Sequence, residues 1–310
     1  MTLNYLITNP TLFWILAIIG GIVVGLFGVL SIKAGIVDTS GLIAGFIVGL
    51  GVWIGGGFTW FLIILTFHLV AGAFTKYKYE RKRKAGFAQE KGGARGWPNV
   101  FANGGFATIC AVFGGIVLYY AQSNSFIIVQ NSDLLGIAFF GFLGAISTMI
   151  ADTLGTEIGL LSKSKPRLIT HLSQKVEPGT SGGVTILGEL GGVLGSLIVS
   201  LIALFIYLIH NVFRFPFFQF PIFGIELIII GIISGLAGGA VDSVIGATVQ
   251  GIFQCEGACK KITEKSKHCG VPAKHLRGWR YLENNMVNFL ASLSGGIVAI
   301  ILGFIFLILR

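Results

Sequence analysis

The chain is short of charge. Asp, Glu, Lys and Arg make up 11% of it, against roughly 25% in a soluble domain. With 54% hydrophobic residues, too little polar surface is left to coat a soluble core, and a soluble globular fold is excluded. Cysteine is scarce too, at four residues. Cys110 stands alone in an apolar run and the other three share one basic loop, so a secreted disulfide framework is excluded. No Gly-x-x-x-x-Gly-Lys-Ser/Thr occurs, which excludes a P-loop. The N-terminus has no basic stretch ahead of the apolar run Thr11 to Leu30. That run is expected to stay as a membrane helix and not to act as a cleaved leader.

What is abundant is glycine, at 46 residues, together with apolar runs of about 18 residues or more. Such runs match a ~30 Å hydrocarbon core, and membrane helices tolerate glycine well. The expected fold is all-α: a polytopic membrane helix bundle of about eight transmembrane helices, forming one membrane-embedded domain over residues 1–310. Spans are expected near 11–31, 39–55, 57–75, 102–121, 134–160, 183–210, 222–252 and 285–309. Long polar loops fall at 76–101, 161–182 and 253–284.

Charge placement orients this bundle. In an eight-span arrangement, the three long loops and the Lys33 connection lie on one side. That side receives all of the 22 basic residues except Arg214 and Arg310. Positive-inside bias makes it the cytoplasmic side of a cell membrane. The net charge of +9 therefore points to lipid headgroups or a polyanionic substrate, and no nucleic-acid partner is expected. Most of Lys76 to Lys84 reads as topology and headgroup attraction.

Acidic residues number only 13. Asp38, Asp152, Glu157, Glu189 and Asp242 lie in or beside apolar segments. A charged carboxylate at mid-bilayer costs roughly 2.5–3.5 kcal/mol on insertion scales, so these residues normally face a cavity, a partner or an ion. Glu226, at a helix end, reads as solvated. Ala151 to Gly159 packs Asp152, Thr153 and Glu157 into two helical turns. Thr153 and Glu157 share a face, whereas Asp152 and Glu157 are splayed by about 140° on an ideal helix. Carboxylates with hydroxyls suit Mg²⁺. The segments Gly141–Asp152 and Gly231–Asp242 are equal in length, and each ends in Asp followed by Thr153 or Ser243. They read as parallel structural repeats, or as a glycine-biased coincidence.

The stretch Lys175-Val-Glu177-Pro-Gly179-Thr180-Ser181-Gly182-Gly183 re-enters the membrane after the first acidic cluster. Its glycines let backbone N–H groups approach an anion, and Thr180 or Ser181 can cap the next helix. It reads as a nucleotide phosphate site, or simply as a tight re-entry turn. Asn103, Asn284, Asn285 and Asn288 read equally as ligand contacts or as ties between helices. Cys255, Cys259, His268 and Cys269 could form a Cys₃His zinc site, although the spacing is irregular and the adjacent His268 and Cys269 strain it. His68, His171, His210 and His275 have no ligand spacing and read as structural.

Taken together, several motifs resemble one membrane family. They are Lys33-Ala-Gly-Ile-Val-Asp38-Thr-Ser-Gly41, Arg95 with Asn103-Gly104, Asp152-Thr153 with Glu157, Val176 to Gly183, Asp242-Ser243 to Gln250, and Asn284-Asn285-Met-Val-Asn288. That family includes plant phytyl-phosphate kinase and animal transmembrane protein 19. More distantly, the acidic helix and glycine loop resemble CTP-using polyprenol kinases and phosphatidate cytidylyltransferases. The resemblance implies phosphoryl transfer from a nucleotide, CTP, to an isoprenyl monophosphate. In a kinase of this kind, Asp152, Glu157 and Asp242 are expected to bind Mg²⁺, and Lys33, Asp38, Arg95 and Lys175 to take catalytic roles. Asn103, Thr153, Glu177, the Gly179–Gly183 loop, Ser243 and the three asparagines from Asn284 to Asn288 would contact nucleotide or phosphate. A transporter or lipid flippase, and a cytidylyltransferase forming a CDP-lipid, are the competing expectations.

Overall fold

The computed structural model describes residues 10–84, 91–123, 128–213, 224–257 and 259–309. Arg214 and Arg310 lie outside the described residues. Among the described residues, seven long helices are apolar enough to cross a membrane. They are α1 (Pro10–Lys33), α2 (Thr39–Lys76), α4 (Trp97–Ser123), α5 (Ile128–Gly159), α6 (Ile186–Phe213), α7 (Glu226–Thr248) and α8 (Asn284–Ile308). A short helix, α3 (Tyr79–Lys84), lies in the first polar loop.

The helix α2 is two passes. Gly57 has φ 77° and ψ −175°, a backbone conformation open to glycine. On either side of it, the Trp53 ring lies 5.4 Å from the Phe61 ring. Val48 and Ile64 both pack on Gly104. On a straight helix those two residues would be ~24 Å apart. The chain therefore doubles back at Gly55-Gly56-Gly57, and the two arms are the separate spans expected over 39–55 and 57–75. Eight passes result, with both ends of α2 on one side of the bundle.

The helix α5 is the hub. Its span is 89% buried, against 44% or less for every other span. Close packing depends on small residues. Gly155 and Gly159 meet Gly188 of the antiparallel α6, and Gly144 meets Gly295 and Ala299 of α8. Against the parallel α7, Ser147 meets Gly231 and Gly235, and Thr148 meets Gly238. Core hydroxyls turn to backbone carbonyls: Thr148 donates to Gly144 and Ser234, and Ser200 donates to Ser196.

Loops expected to be irregular carry small sheets. Between α5 and α6, β1 (Arg167–Leu168) pairs with β2 (His171–Lys175) and β3 (Gly183–Val184). Between α7 and α8, strands β4 (Ile252–Cys255), β5 (Ile262–Thr263), β6 (Lys267–His268) and β7 (Val271–Arg277) form an antiparallel sheet in the order β5-β4-β7-β6. Two-residue strands leave no alternation to read, which is why sequence periodicity misses them. Both sheets sit on the side where α2 begins and ends.

Candidate active site

The site has a cationic end and an anionic end. The cationic end is built by a strap. The Arg95 amide donates to the Ile36 carbonyl (2.9 Å) and the Asp38 amide donates to the Arg95 carbonyl (3.1 Å). Asp38 caps α2: its Oδ1 accepts from the Gly41 amide (3.0 Å) and the Ser40 hydroxyl (2.6 Å). Ser40 Oγ accepts in turn from the Trp97 amide (3.1 Å). A Cβ at Gly41 would run into the Arg95 carbonyl, so glycine permits the close approach. Asp38, expected as catalytic, thus positions Arg95 through backbone pairing.

Arg95 is buried and lies over the Phe67 ring, 5.9 Å from its centroid. Its guanidinium makes no hydrogen bond to any described residue. Burial pulls it below its ordinary value while Glu157 and Asp152 push it back up; guanidinium stays charged at neutral pH. It lines an apolar cavity of about 730 Å³, open mouth included, between α1, both arms of α2 and α4. Val24, Phe27, Val48, Phe61 and Ile64 line the apolar part; Arg95, Asn99, Asn103, His68 and Ser31 are its polar lining. His68 Nε2 lies 2.8 Å from Ser31 Oγ, whose proton goes to the Phe27 carbonyl (2.7 Å). Asn288 donates to Asn103 Oδ1 (3.0 Å), tying α8 to α4, so for this pair the reading as a helix tie is the one observed.

The anionic end gathers residues from α5, α7 and the second sheet. Asp152 lies in the electrostatic field of Glu264, Arg95 and Glu157. Asp242 lies in that of Asp152 and Glu264. Its Oδ2 is buried with no hydrogen-bond partner among the described residues, and Asp152 receives no hydrogen bond from them. The parallel course of α5 and α7 brings these two aspartates to the same end, as the repeat pattern requires. The glycine turn packs here. Gly182 has φ 77° and no room for a Cβ against Ala247 and the Ser243 carbonyl. Ser181 donates to the Glu264 carboxylate. Thr180 turns back on the Glu177 carbonyl (2.7 Å), and Thr185, not Thr180 or Ser181, caps α6 by accepting from the Gly188 amide (3.0 Å).

Other expected site residues are placed differently. Glu157 forms a buried ion pair with Lys82, whose ammonium also donates to the Phe74 and Thr75 carbonyls at the end of α2. The pair corrects the reading of Lys82 as a headgroup charge, and it occupies Glu157. Lys33 and Lys175 are exposed, and the exposed Glu177 pairs with Lys165 at 2.5 Å. Thr153 is buried beside Asp152. Asn284 and Asn285 open α8 next to Glu264, whose carbonyl accepts from the Asn284 amide (3.4 Å). Two residues escaped the sequence reading, Lys82 and Glu264. For Glu264, its being one of few acids in a loop of seven basic residues was the available signal.

Magnesium binds through one or two carboxylates plus substrate phosphates. The orphaned Asp242 oxygen and the like charge on Asp152 and Glu264 fit such a dication. The engaged Glu157 fits it less well.

Eight apolar passes with a cluster of polar side chains at one end define a multi-pass membrane protein. The chain belongs to the family described as integral membrane protein DUF92, which it matches over residues 22–296. It is 30% identical to Protein PGR of Arabidopsis thaliana over 92% of this chain and 94% of that one. An uncharacterized membrane protein of Methanocaldococcus jannaschii is 27% identical over 87% of each chain. The chloroplastic protein VTE6 of Arabidopsis thaliana is 27% identical over 64% of this chain and 55% of that protein. No solved structure matches the chain.

Proposed function

We propose that this protein is a prenyl-phosphate kinase that transfers the terminal phosphoryl group of CTP to an isoprenyl monophosphate such as geranylgeranyl or phytyl phosphate. The observation that carries this reading is Arg95, a buried guanidinium without a hydrogen-bonded partner among the described residues, at an apolar cavity. An anionic headgroup on an apolar tail satisfies both features at once. The resemblance to the phytyl-phosphate kinase family and the match to VTE6 support the lipid class.

In this mechanism the tail occupies the cavity and Arg95 holds the acceptor phosphate. An acceptor oxygen attacks the terminal phosphorus of the nucleotide, the bond to the bridging oxygen breaks, and CDP leaves. The acceptor is already an anion, so positioning and charge neutralisation dominate over base catalysis. Asp152 and Asp242, with Glu264 beside them, would hold Mg²⁺, which neutralises the nucleotide phosphates when bound. The Gly179–Gly183 turn contributes backbone amides to the same phosphates. The basic loops draw CTP from the cytoplasmic side. A flippase would spread such groups toward mid-membrane and open to both faces, whereas here they share one end.

Purified protein, incubated with labelled ribonucleoside triphosphates and a panel of prenyl phosphates, is expected to give prenyl diphosphate and CDP. Pyrophosphate and a CDP-lipid as products would replace the kinase by a cytidylyltransferase. Absence of product with every pair would end the proposal.

A further inference from the structure

The second sheet holds a cluster that the proposed chemistry does not use. Cys255 ends β4, Cys259 lies in the β4–β5 connection, His268 ends β6, and Cys269 starts the turn into β7. Their Sγ and ring-nitrogen atoms all lie within 4.8 Å of one another. Cys259 Sγ is 3.4 Å from His268 Nδ1, Cys269 Sγ is 3.1 Å from the same nitrogen, and the two sulfurs are 3.3 Å apart. A disulfide would need about 2.05 Å, and all three thiols are free. With Zn–S near 2.3 Å and Zn–N near 2.0–2.1 Å, a tetrahedral ion needs ligand atoms roughly 3.5–3.8 Å apart. The three separations among Cys259, His268 and Cys269 are close to that spacing, and Cys255 Sγ lies within 4.8 Å of the other ligand atoms.

The backbone has accepted strain to bring them there. Lys260 and Cys269 both have φ 51°, a left-handed conformation that ordinary side chains avoid. The turn at Cys269 is what allows adjacent His268 and Cys269 to face one point, which the sequence reading counted against the site. Gly270, also left-handed at φ 78°, completes that turn. Strained residues of this kind persist where surrounding structure over-determines them. Lys260, Lys261, Lys265 and Lys267 flank the cluster and offset the negative charge that three thiolates bring to one dication.

We infer that Cys255, Cys259, His268 and Cys269 bind one structural zinc ion, and that this ion holds in place the β5–β6 connection that carries Glu264. Four protein ligands close the coordination shell, so the ion has no open position for catalysis. Three soft thiolates and an imidazole select zinc over the magnesium of the carboxylate site. Glu264 lies on the chain between Cys259 and His268, directly after β5, and reaches Ser181 of the glycine turn. Without the metal, strands of two residues have little to keep them paired.

The test is metal content, read without any substrate. Full-length protein purified in detergent without added metal is expected to contain one zinc per chain by elemental analysis. Growth with cobalt should give the visible ligand-field and thiolate charge-transfer bands of a tetrahedral thiolate site. Cys259→Ser with Cys269→Ser should lose the metal and the cobalt spectrum, whereas Cys110→Ser, far away in α4, should keep both. Glu264→Gln should also keep its zinc, which separates this inference from the kinase reading. Substoichiometric zinc with no cobalt spectrum in the folded wild type, or a Cys259–Cys269 disulfide found by mass spectrometry, would overturn it.

Discussion

The two ends of the site are assembled on opposite principles. At the arginine end, most polar groups around the guanidinium are satisfied by the protein itself: Asp38 caps a helix, Ser40 binds Trp97, and His68 binds Ser31. Among the described residues, the Arg95 guanidinium has no hydrogen-bonded partner. At the carboxylate end the imbalance is collective. Asp152, Asp242 and Glu264 share one region, and a buried oxygen of Asp242 has no hydrogen-bond partner among the described residues. A preorganised lone cation suits one anionic headgroup. A cluster of under-partnered carboxylates suits a dication that arrives with phosphates. In the proposed kinase, the difference would separate acceptor binding from nucleotide binding within one mouth.

The most damaging test of that division is to neutralise each end. Asp152→Asn and Asp242→Asn are each expected to lower turnover by at least ~10²-fold, the scale of losing one electrostatic group at a reacting centre. Asp242→Asn should not lower the melting temperature in detergent, because it removes a charge whose neighbours, Asp152 and Glu264, are like charges. Asp152 also faces Arg95, so Asp152→Asn should be the less stable of the two. Arg95→Met should instead raise KM for the prenyl phosphate while leaving KM for CTP near its wild-type value. If Arg95 and Asp152 variants shift the same KM, the two ends are one.

Next in size is the ion pair that ties the first polar loop to α5. Lys82 and Glu157 are 3% and 4% exposed, and removing one partner of a buried pair costs about 3–5 kcal/mol. Lys82→Ala should therefore lower the midpoint of thermal unfolding more than any other lysine substitution in 76–84. Replacing both partners by Met should recover most of the loss. A Lys82→Ala protein as stable as wild type would return Lys82 to the role of a headgroup charge.

A smaller effect is expected at Gly41. A Cβ there must displace the Arg95 carbonyl, and overpacking of this kind costs about 1–3 kcal/mol. Because the strap carries Arg95, Gly41→Ala should raise KM for the acceptor lipid as well as reduce stability. Gly45, where a Cβ meets nothing within 4 Å, lines the same cavity and is the matched control for stability alone: Ala there should leave the melting temperature unchanged.

Legibility in the sequence followed the length of the signal. Apolar runs and basic loops are properties of many residues, so the eight passes and their common polar side could be read directly, including the doubling back at Gly57. Motif position also brought Asp152, Asp242, Arg95 and the glycine turn to one end. Single side chains were harder. Lys82 sits in Lys-Tyr-Lys-Tyr-Glu-Arg-Lys-Arg-Lys, and nothing in that run marks which ammonium turns inward. That choice is made by the open carbonyls of Phe74 and Thr75. Glu264 was hidden because its partner, Ser181, is 83 residues away.

The smallest predicted effect discriminates best between the expected and the observed role of Glu177. Lys165 and Glu177 form the same kind of pair as Lys82 and Glu157, but at 57% and 76% exposure. Solvent screening and side-chain entropy reduce such a pair to about 0–1 kcal/mol. Lys165→Ala should leave both the melting temperature and turnover unchanged. Glu177→Gln carries more information, because the residue begins the turn that leads to Gly179 and Ser181. If Glu177 only decorates the surface, the amide changes neither KM for CTP nor its salt dependence. A several-fold rise in KM for CTP at unchanged stability would mean that Glu177 leaves Lys165 when nucleotide binds. The anionic end would then extend outward along the turn, and the boundary between the two ends would have to be redrawn.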